Sequence, residues 1–190
     1  MEQLEVLKLL VGKLEKADFH YFITGSIASS YYGIPRFTHD IDVVLTARKK
    51  DVDGIIRLFK YDGYISREGV LEALSGSGMF NFIHSQTGLK IDFWVNRGDP
   101  FTKSCFHRCR KIEVTEGFWA VMASPEDVLL HKVYWNHLMP SERQIRDAQG
   151  IVAIQGSRLD VGYIEKWARE MGIEDKIKAL FADRNLPNLT

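Results

Sequence analysis

The chain has 190 residues, 45% of them hydrophobic and 26% charged, the balance of a globular protein of one domain or a core with an annex. Its 25 basic and 25 acidic residues cancel, which excludes a protein coated in positive charge while leaving room for a local basic patch. No run of residues is apolar for long enough to span a bilayer, and two cysteines, Cys105 and Cys109, fit a reduced pair in the cytoplasm.

In chain order, residues 2–16 repeat apolar positions at helical spacing, with Leu4, Leu7, Val11 and Leu14 on one face. His20–Thr24 reads as a short strand ending at Gly25, and Ser26–Tyr32 as a helix stopped by Gly33 and Pro35. Asp40–Thr46 is expected as a strand and Lys49–Tyr61 as a helix with Val52, Ile55, Ile56 and Phe59 inward. Glu68–Leu74 forms a short helix before a turn at Gly76–Gly78. Met79–His84 and Leu89–Val95 pair as a hairpin, and Asp99–Cys109 is helical. Lys111–Val114 and Phe118–Met122 make another strand pair. From Ser124 onward the periodicity is helical: Ser124-Pro125-Glu126-Asp127 supplies a capping serine, a proline at the first position and an acidic residue three on. Helices are expected at 125–138, 141–154, 160–171 and 173–183. The organisation is α/β, with a mixed-sheet core over residues 1–122 and a C-terminal helical bundle over 123–190.

Asp40 and Asp42, two apart on a strand, point to one face, and like charges that close repel unless a cation lies between them. Hard divalent cations such as Mg²⁺ or Mn²⁺ accept such carboxylate oxygens together with substrate phosphate oxygens. Asp92 interrupts the apolar run Leu89–Val95 and is the candidate third ligand. Gly25-Ser26 opens a helix, where backbone can approach a phosphate and unpaired N–H groups attract anions. Arg36 is the local cation, read either as a phosphate contact or as the neutraliser of the aspartate pair. Tyr31 and Tyr32 are expected to pack on the sheet. Arg97, Lys103, His107, Arg108, Arg110 and Lys111 form one locally basic stretch, able to receive an RNA acceptor or simply solvated.

Gly25-Ser26, thirteen residues, Asp40-Ile41-Asp42 and a later strand aspartate together resemble the DNA polymerase β-type nucleotidyltransferase superfamily. The resemblance covers residues 20–95. It implies that Gly25 and Ser26 receive a triphosphate, that Asp40, Asp42 and Asp92 ligate two magnesium ions, and that Asp92 takes the proton of the incoming hydroxyl. A second likeness covers most of the chain. Ser124-Pro125-Glu126-Asp127 leading to Lys132, then Arg143-Gln144-Ile145-Arg146-Asp147, is similar to AbiEii-type abortive-infection nucleotidyltransferases. It implies that Lys132, Arg146 and Asp147 line the nucleotide pocket, Lys132 and Asp147 in catalysis and Lys132 and Arg146 in nucleotide binding. Read from the residues alone, Lys132 is equally a lysine snorkelling from an apolar helix, and Arg146-Asp147 a solvated face.

The expectation is a cytoplasmic, Mg²⁺- or Mn²⁺-dependent nucleotidyltransferase that moves a nucleoside monophosphate from an NTP to an acceptor hydroxyl. The acceptor is a tRNA end or other RNA, a protein, or a small molecule, and the toxin-like relatives imply a cognate antitoxin or partner protein. Two alternatives stand beside it: a non-catalytic nucleotide-binding or antitoxin-like module of the same fold, and a γ-phosphate transferase.

Overall fold

A computed structural model describes residues 2–182. Its contacts divide the chain into two units, one running through Thr24 and resuming at Thr38–Met122, the other comprising Gly25–Phe37 and the residues from Ala123 on. The segment 25–37, which the sequence leaves inside the α/β region, thus groups with the helical one.

The first unit holds every strand of a seven-stranded sheet in the order β3-β4-β5-β2-β1-β7-β6. These are β1 (Tyr21–Thr24), β2 (Asp40–Leu45), β3 (Gly63–Ile65), β4 (Met79–His84), β5 (Lys90–Val95), β6 (Arg110–Thr115) and β7 (Phe118–Met122). β1 with β7 and β2 with β5 run parallel; the remaining neighbours are antiparallel, so the sheet is mixed as expected. The hairpins β4–β5 and β6–β7 form where alternation and turn residues place them. β3 is absent from the expectation: three residues are too few to show a period of two.

Alternation decides what each sheet face carries. Phe80, Phe82, Ile91, Phe93, Ile41 and Val43 share one face and are buried. Phe59 of α3 (Val52–Phe59) meets Phe82 and Phe93 at centroid distances of 5.1 and 5.4 Å, and Phe80 stacks on Phe93 at 4.8 Å. α1 (Glu2–Lys16) adds Val6, Leu7, Leu10 and Leu14 to the core. On the opposite face, Phe22 of β1 packs edge-on against Phe106 of α5 (Pro100–Arg108). A short helix, α4 (Arg67–Glu72), runs into a π turn at Ala73–Ser77 before β4. The helix expected over Lys49–Tyr61 is split into a 3₁₀ turn at Lys49–Asp51, where the Asp51 carboxylate accepts from the Arg48 amide, and α3.

The second unit is helical: α2 (Gly25–Tyr32), α6 (Pro125–Leu138), α7 (Glu142–Gln155), α8 (Val161–Glu170) and α9 (Glu174–Ala182). Its core is Val128, Leu129, Leu130, Val133, Ala148, Ile151, Ile164, Trp167 and Ala168. Ser124 caps α6 as expected, accepting from the Asp127 amide. The buried Asp127 then does more than cap: its Oδ2 accepts from Ser124 at 2.7 Å and its Oδ1 from the Tyr163 hydroxyl at 2.6 Å, fastening α8 to α6.

Gly33 ends α2 hard against α7. A Cβ there would lie 2.8 Å from Ile151 N and 2.9 Å from Gly150 C, both backbone atoms that cannot swing aside. Gly33→Ala should therefore lower stability by about 1–3 kcal/mol through overpacking. Gly12→Ala, in α1 with nothing within 4 Å, should raise it by up to about 1 kcal/mol. Thermal melts of both variants decide; equal melting temperatures would show that α2 gives way.

Candidate active site

Two clusters of charged side chains stand out, one in each unit. The first is on the sheet. Parallel pairing puts Asp40 beside Lys90 and Asp42 beside Asp92, and the period of two turns all four to the same face. Thr24 lies opposite Asp42 on β1 and Asn81 opposite Asp92 on β4, so the row reads Thr24, Asp42, Asp92, Asn81 across four strands. Three carboxylates thus come from two neighbouring strands.

Each carboxylate is oriented differently. Asp40 accepts a short hydrogen bond from the Thr38 hydroxyl. Asp42 Oδ1 accepts from the Trp94 indole N–H at 3.2 Å, a donor two residues past Asp92 on the same face. Asp92 is nearly buried; its Oδ2 takes the Lys90 ammonium at 2.7 Å, while its Oδ1 and the Thr24 hydroxyl oxygen are buried without a hydrogen-bond partner. The hydrogen bond that Lys90 donates to Asp92, and then the charges of Asp92, Asp40 and Asp42, outweigh desolvation and hold the Lys90 pKa above its ordinary value.

The donor set is all hard oxygen, and an orphaned buried carboxylate oxygen is a place a divalent cation satisfies. In that respect the residues fit Mg²⁺ or Mn²⁺. Among the described residues, however, no group of three or more His, Cys, Asp or Glu side chains is placed so that it could hold a metal ion.

The second cluster lies among the helices. Gly25 has φ 61°, a left-handed conformation that lets the chain leave β1 and enter α2 with no residue between. Ser26, Arg36, Lys132 and Asp147 converge. Arg36 Nε and Nη2 each lie 2.7 Å from one oxygen of Asp147, a two-pronged pair, and Nη2 also donates to Ser26 Oγ at 2.8 Å. Lys132 Nζ is 2.8 Å from Asp147 Oδ2, and both side chains are buried. Ser29 donates to the same oxygen at 3.3 Å. Burial pushes the Asp147 carboxyl up, but hydrogen bonds and charge from Arg36 and Lys132 outweigh it and leave the pKa below the usual carboxylate range.

Of the two readings for Lys132, burial beside Asp147 replaces the snorkelling one. Asp147 is likewise no solvated residue. Arg146, one residue earlier, does not join: its side chain is 75% exposed, pairs with Glu142 at 3.2 Å, and lines an open cleft of about 520 Å³ with Asn136, Pro140, Ser141 and Ile145. Tyr31 is 45% exposed rather than packed away, its ring edge-on to Tyr32. Lys90 is the residue that sequence reasoning missed. Its signal was present in Lys90-Ile91-Asp92, a cation two residues before a carboxylate on one strand face.

No protein-family model matches the chain, and no curated protein matches it in sequence. Solved structures do match. An antigenic nucleotidyltransferase-like protein from Paracoccidioides brasiliensis aligns with TM-score 0.55 at 17% identity, covering 94% of this chain and 92% of that one. ANT(2'')-Ia in complex with adenylyl-2''-tobramycin aligns with TM-score 0.59 at 11% identity, covering 90% and 98%. The lincosamide antibiotic adenylyltransferase LnuA, lincomycin-bound, gives TM-score 0.54 at 16% identity over 80% and 96%. Among the described residues no helix is long and apolar enough to cross a membrane. The chain has the mixed-sheet α/β fold of the nucleotidyltransferases.

Proposed function

We propose that this chain is a divalent-metal-dependent nucleotidyltransferase that moves a nucleoside monophosphate from an NTP to an acceptor hydroxyl. The observation that carries this reading is the register Asp42↔Asp92 with Asp40 on the same face, on a nucleotidyltransferase fold. Asp40, Asp42 and Asp92 would hold Mg²⁺ or Mn²⁺, which when bound supplies charge for the triphosphate and acidity for the acceptor hydroxyl.

The chain's own residues do the rest. The Gly25-Ser26 turn offers N–H groups and a hydroxyl to phosphate oxygens. Arg36 and Lys132, held together on Asp147, set two positive charges beside Ser26 for the nucleotide's phosphates. Asp147 is a positioning residue, since both its oxygens are committed to those cations. Asp92, with one oxygen free of hydrogen bonds, takes the acceptor's proton. The acceptor oxygen bonds to the α-phosphorus, the bond to the bridging oxygen breaks, and pyrophosphate leaves with that electron pair.

Adenylyl-tobramycin and lincomycin in the similar structures make a small-molecule hydroxyl the first acceptor to test, ahead of RNA or protein. The AbiEii-type likeness, with its toxin–antitoxin setting and partner protein, rests on Ser124-Pro125-Glu126-Asp127, Lys132 and Arg143-Gln144-Ile145-Arg146-Asp147. Incubation with each α-labelled NTP, Mg²⁺ or Mn²⁺, and RNA, protein and small-molecule fractions (aminoglycosides and lincosamides among them) tests the proposal. Label should enter one fraction and be lost in the Asp40→Asn/Asp42→Asn double variant. No label from any NTP would overturn nucleotidyl transfer, and a γ-labelled repeat would then separate phosphate transfer from binding without turnover.

A further inference from the structure

Lys90 completes a two-by-two block on the sheet. Its neighbour across β2 is Asp40, and two residues along its own strand Asp92 lies beside Asp42. The flanking strands add no charge at these positions: Thr24 faces Asp42, Asn81 faces Asp92 and Ile83 faces Lys90. Lys90 is thus the cation that the sheet register sets among these carboxylates.

That ammonium sits on Asp92 Oδ2 at 2.7 Å, on a stem that is 46% exposed, whereas the Asp92 side chain is only 11% exposed. An ammonium and a divalent cation compete for that oxygen, because two positive charges within a few ångströms repel. The lysine stem can carry its charge to water at little cost, while the carboxylate cannot follow it. Oδ1 of the same carboxylate is buried without a hydrogen-bond partner, so Asp92 meets its charge partner, Lys90, through Oδ2.

We propose that Lys90 is the resident counter-ion of Asp92 in the carboxylate cluster: it offsets part of the cluster's charge in the metal-free protein and competes with a divalent cation for Asp92 Oδ2. This rests on the carboxylates being the metal site, and it adds a residue that sets how tightly metal is held. Lys90 then acts against binding rather than for it, the reverse of what a basic residue beside a triphosphate site would do.

The test is Mn²⁺ titration, followed by the loss of the free-ion paramagnetic resonance signal and by melting temperature with and without Mn²⁺. Lys90→Gln should tighten Mn²⁺ binding by about two- to fivefold, the worth of one partly exposed ion pair. It should also melt lower than wild type without metal and gain more on Mn²⁺ addition. Lys90→Arg keeps the charge and should hold Mn²⁺ no more tightly than wild type. Unchanged or weaker Mn²⁺ binding in Lys90→Gln, with binding abolished in Asp42→Asn, would overturn the counter-ion role and leave the metal site standing. Tighter binding that survives adding Asp42→Asn would place the ion elsewhere and overturn it too. No Mn²⁺ uptake at millimolar concentration by wild type or Lys90→Gln would remove the metal-site reading and this inference together.

Discussion

Asp147→Ala should lower the melting temperature by roughly 6–20 °C, from a loss of about 3–5 kcal/mol and about 2–4 °C per kcal/mol in a chain of this size. The reason is what remains behind. Lys132 is buried, Arg36 is three-quarters covered, and removing Asp147 takes away the carboxylate that both cations contact. Lys132→Met should cost less, because Arg36 still holds both Asp147 oxygens. The pH dependence follows from the direction of the Asp147 shift. A carboxyl whose folded pKa lies below its unfolded value stabilises fully above the unfolded value of about 3.9 and loses that contribution as pH falls through the folded one. The gap in melting temperature between wild type and Asp147→Ala should thus be widest near neutrality and close in acid below about pH 4. Paired melts across that range decide the point. A variant that melts with wild type at neutral pH would mean the ion pairs contribute nothing net.

Asp42→Asn should do the opposite to each observable. Turnover should fall by at least about 10²–10³-fold, the usual scale for deleting one preorganised electrostatic group. The fold should survive, since asparagine keeps an oxygen for the Trp94 indole N–H and removes one of three like charges. Its melting temperature should equal or exceed that of wild type. Label-transfer rates at saturating metal, run beside melts, check both halves. Full turnover in Asp42→Asn would end the carboxylate mechanism, and a large drop in melting temperature would turn Asp42 into a structural residue.

The contrast between these two aspartates tracks what could be read from the sequence. That Asp40, Asp42 and Asp92 lie on strands was legible, because strand alternation and an interrupted apolar run are local signals. The hairpins, the Ser124-Pro125 cap and the four C-terminal helices were legible for the same reason. What escaped depends on contacts between distant residues. Lys90 looks like an ordinary exposed strand lysine until the register sets it beside Asp40. Arg36 and Asp147 lie 111 residues apart, so their pairing has no local trace, and Arg36 was left open between phosphate and the aspartate pair. Arg146 and Asp147 were read as one unit because they are adjacent, yet neighbouring residues on a helix diverge by about 100°, enough to bury one and expose the other. β3 was missed because three residues carry no period, and the grouping of 25–37 with the helices follows only from packing such as Gly33 on Gly150 and Ile151.

The parallel seam between β2 and β5 also fixes an order of events in folding. The β4–β5 and β6–β7 hairpins join residues close in sequence and close early, on the microsecond scale of local pairing. Bringing Asp42 to Asp92 closes a loop of some fifty residues, a slower step whose entropy is lost before its contacts are gained. A chain that has formed only its hairpins already carries Lys90 beside Asp92 on one strand, so that carboxylate meets its ammonium before it meets the other two. The repulsion among the three acids is thereby imposed last, on a strand whose one acid already has its ammonium.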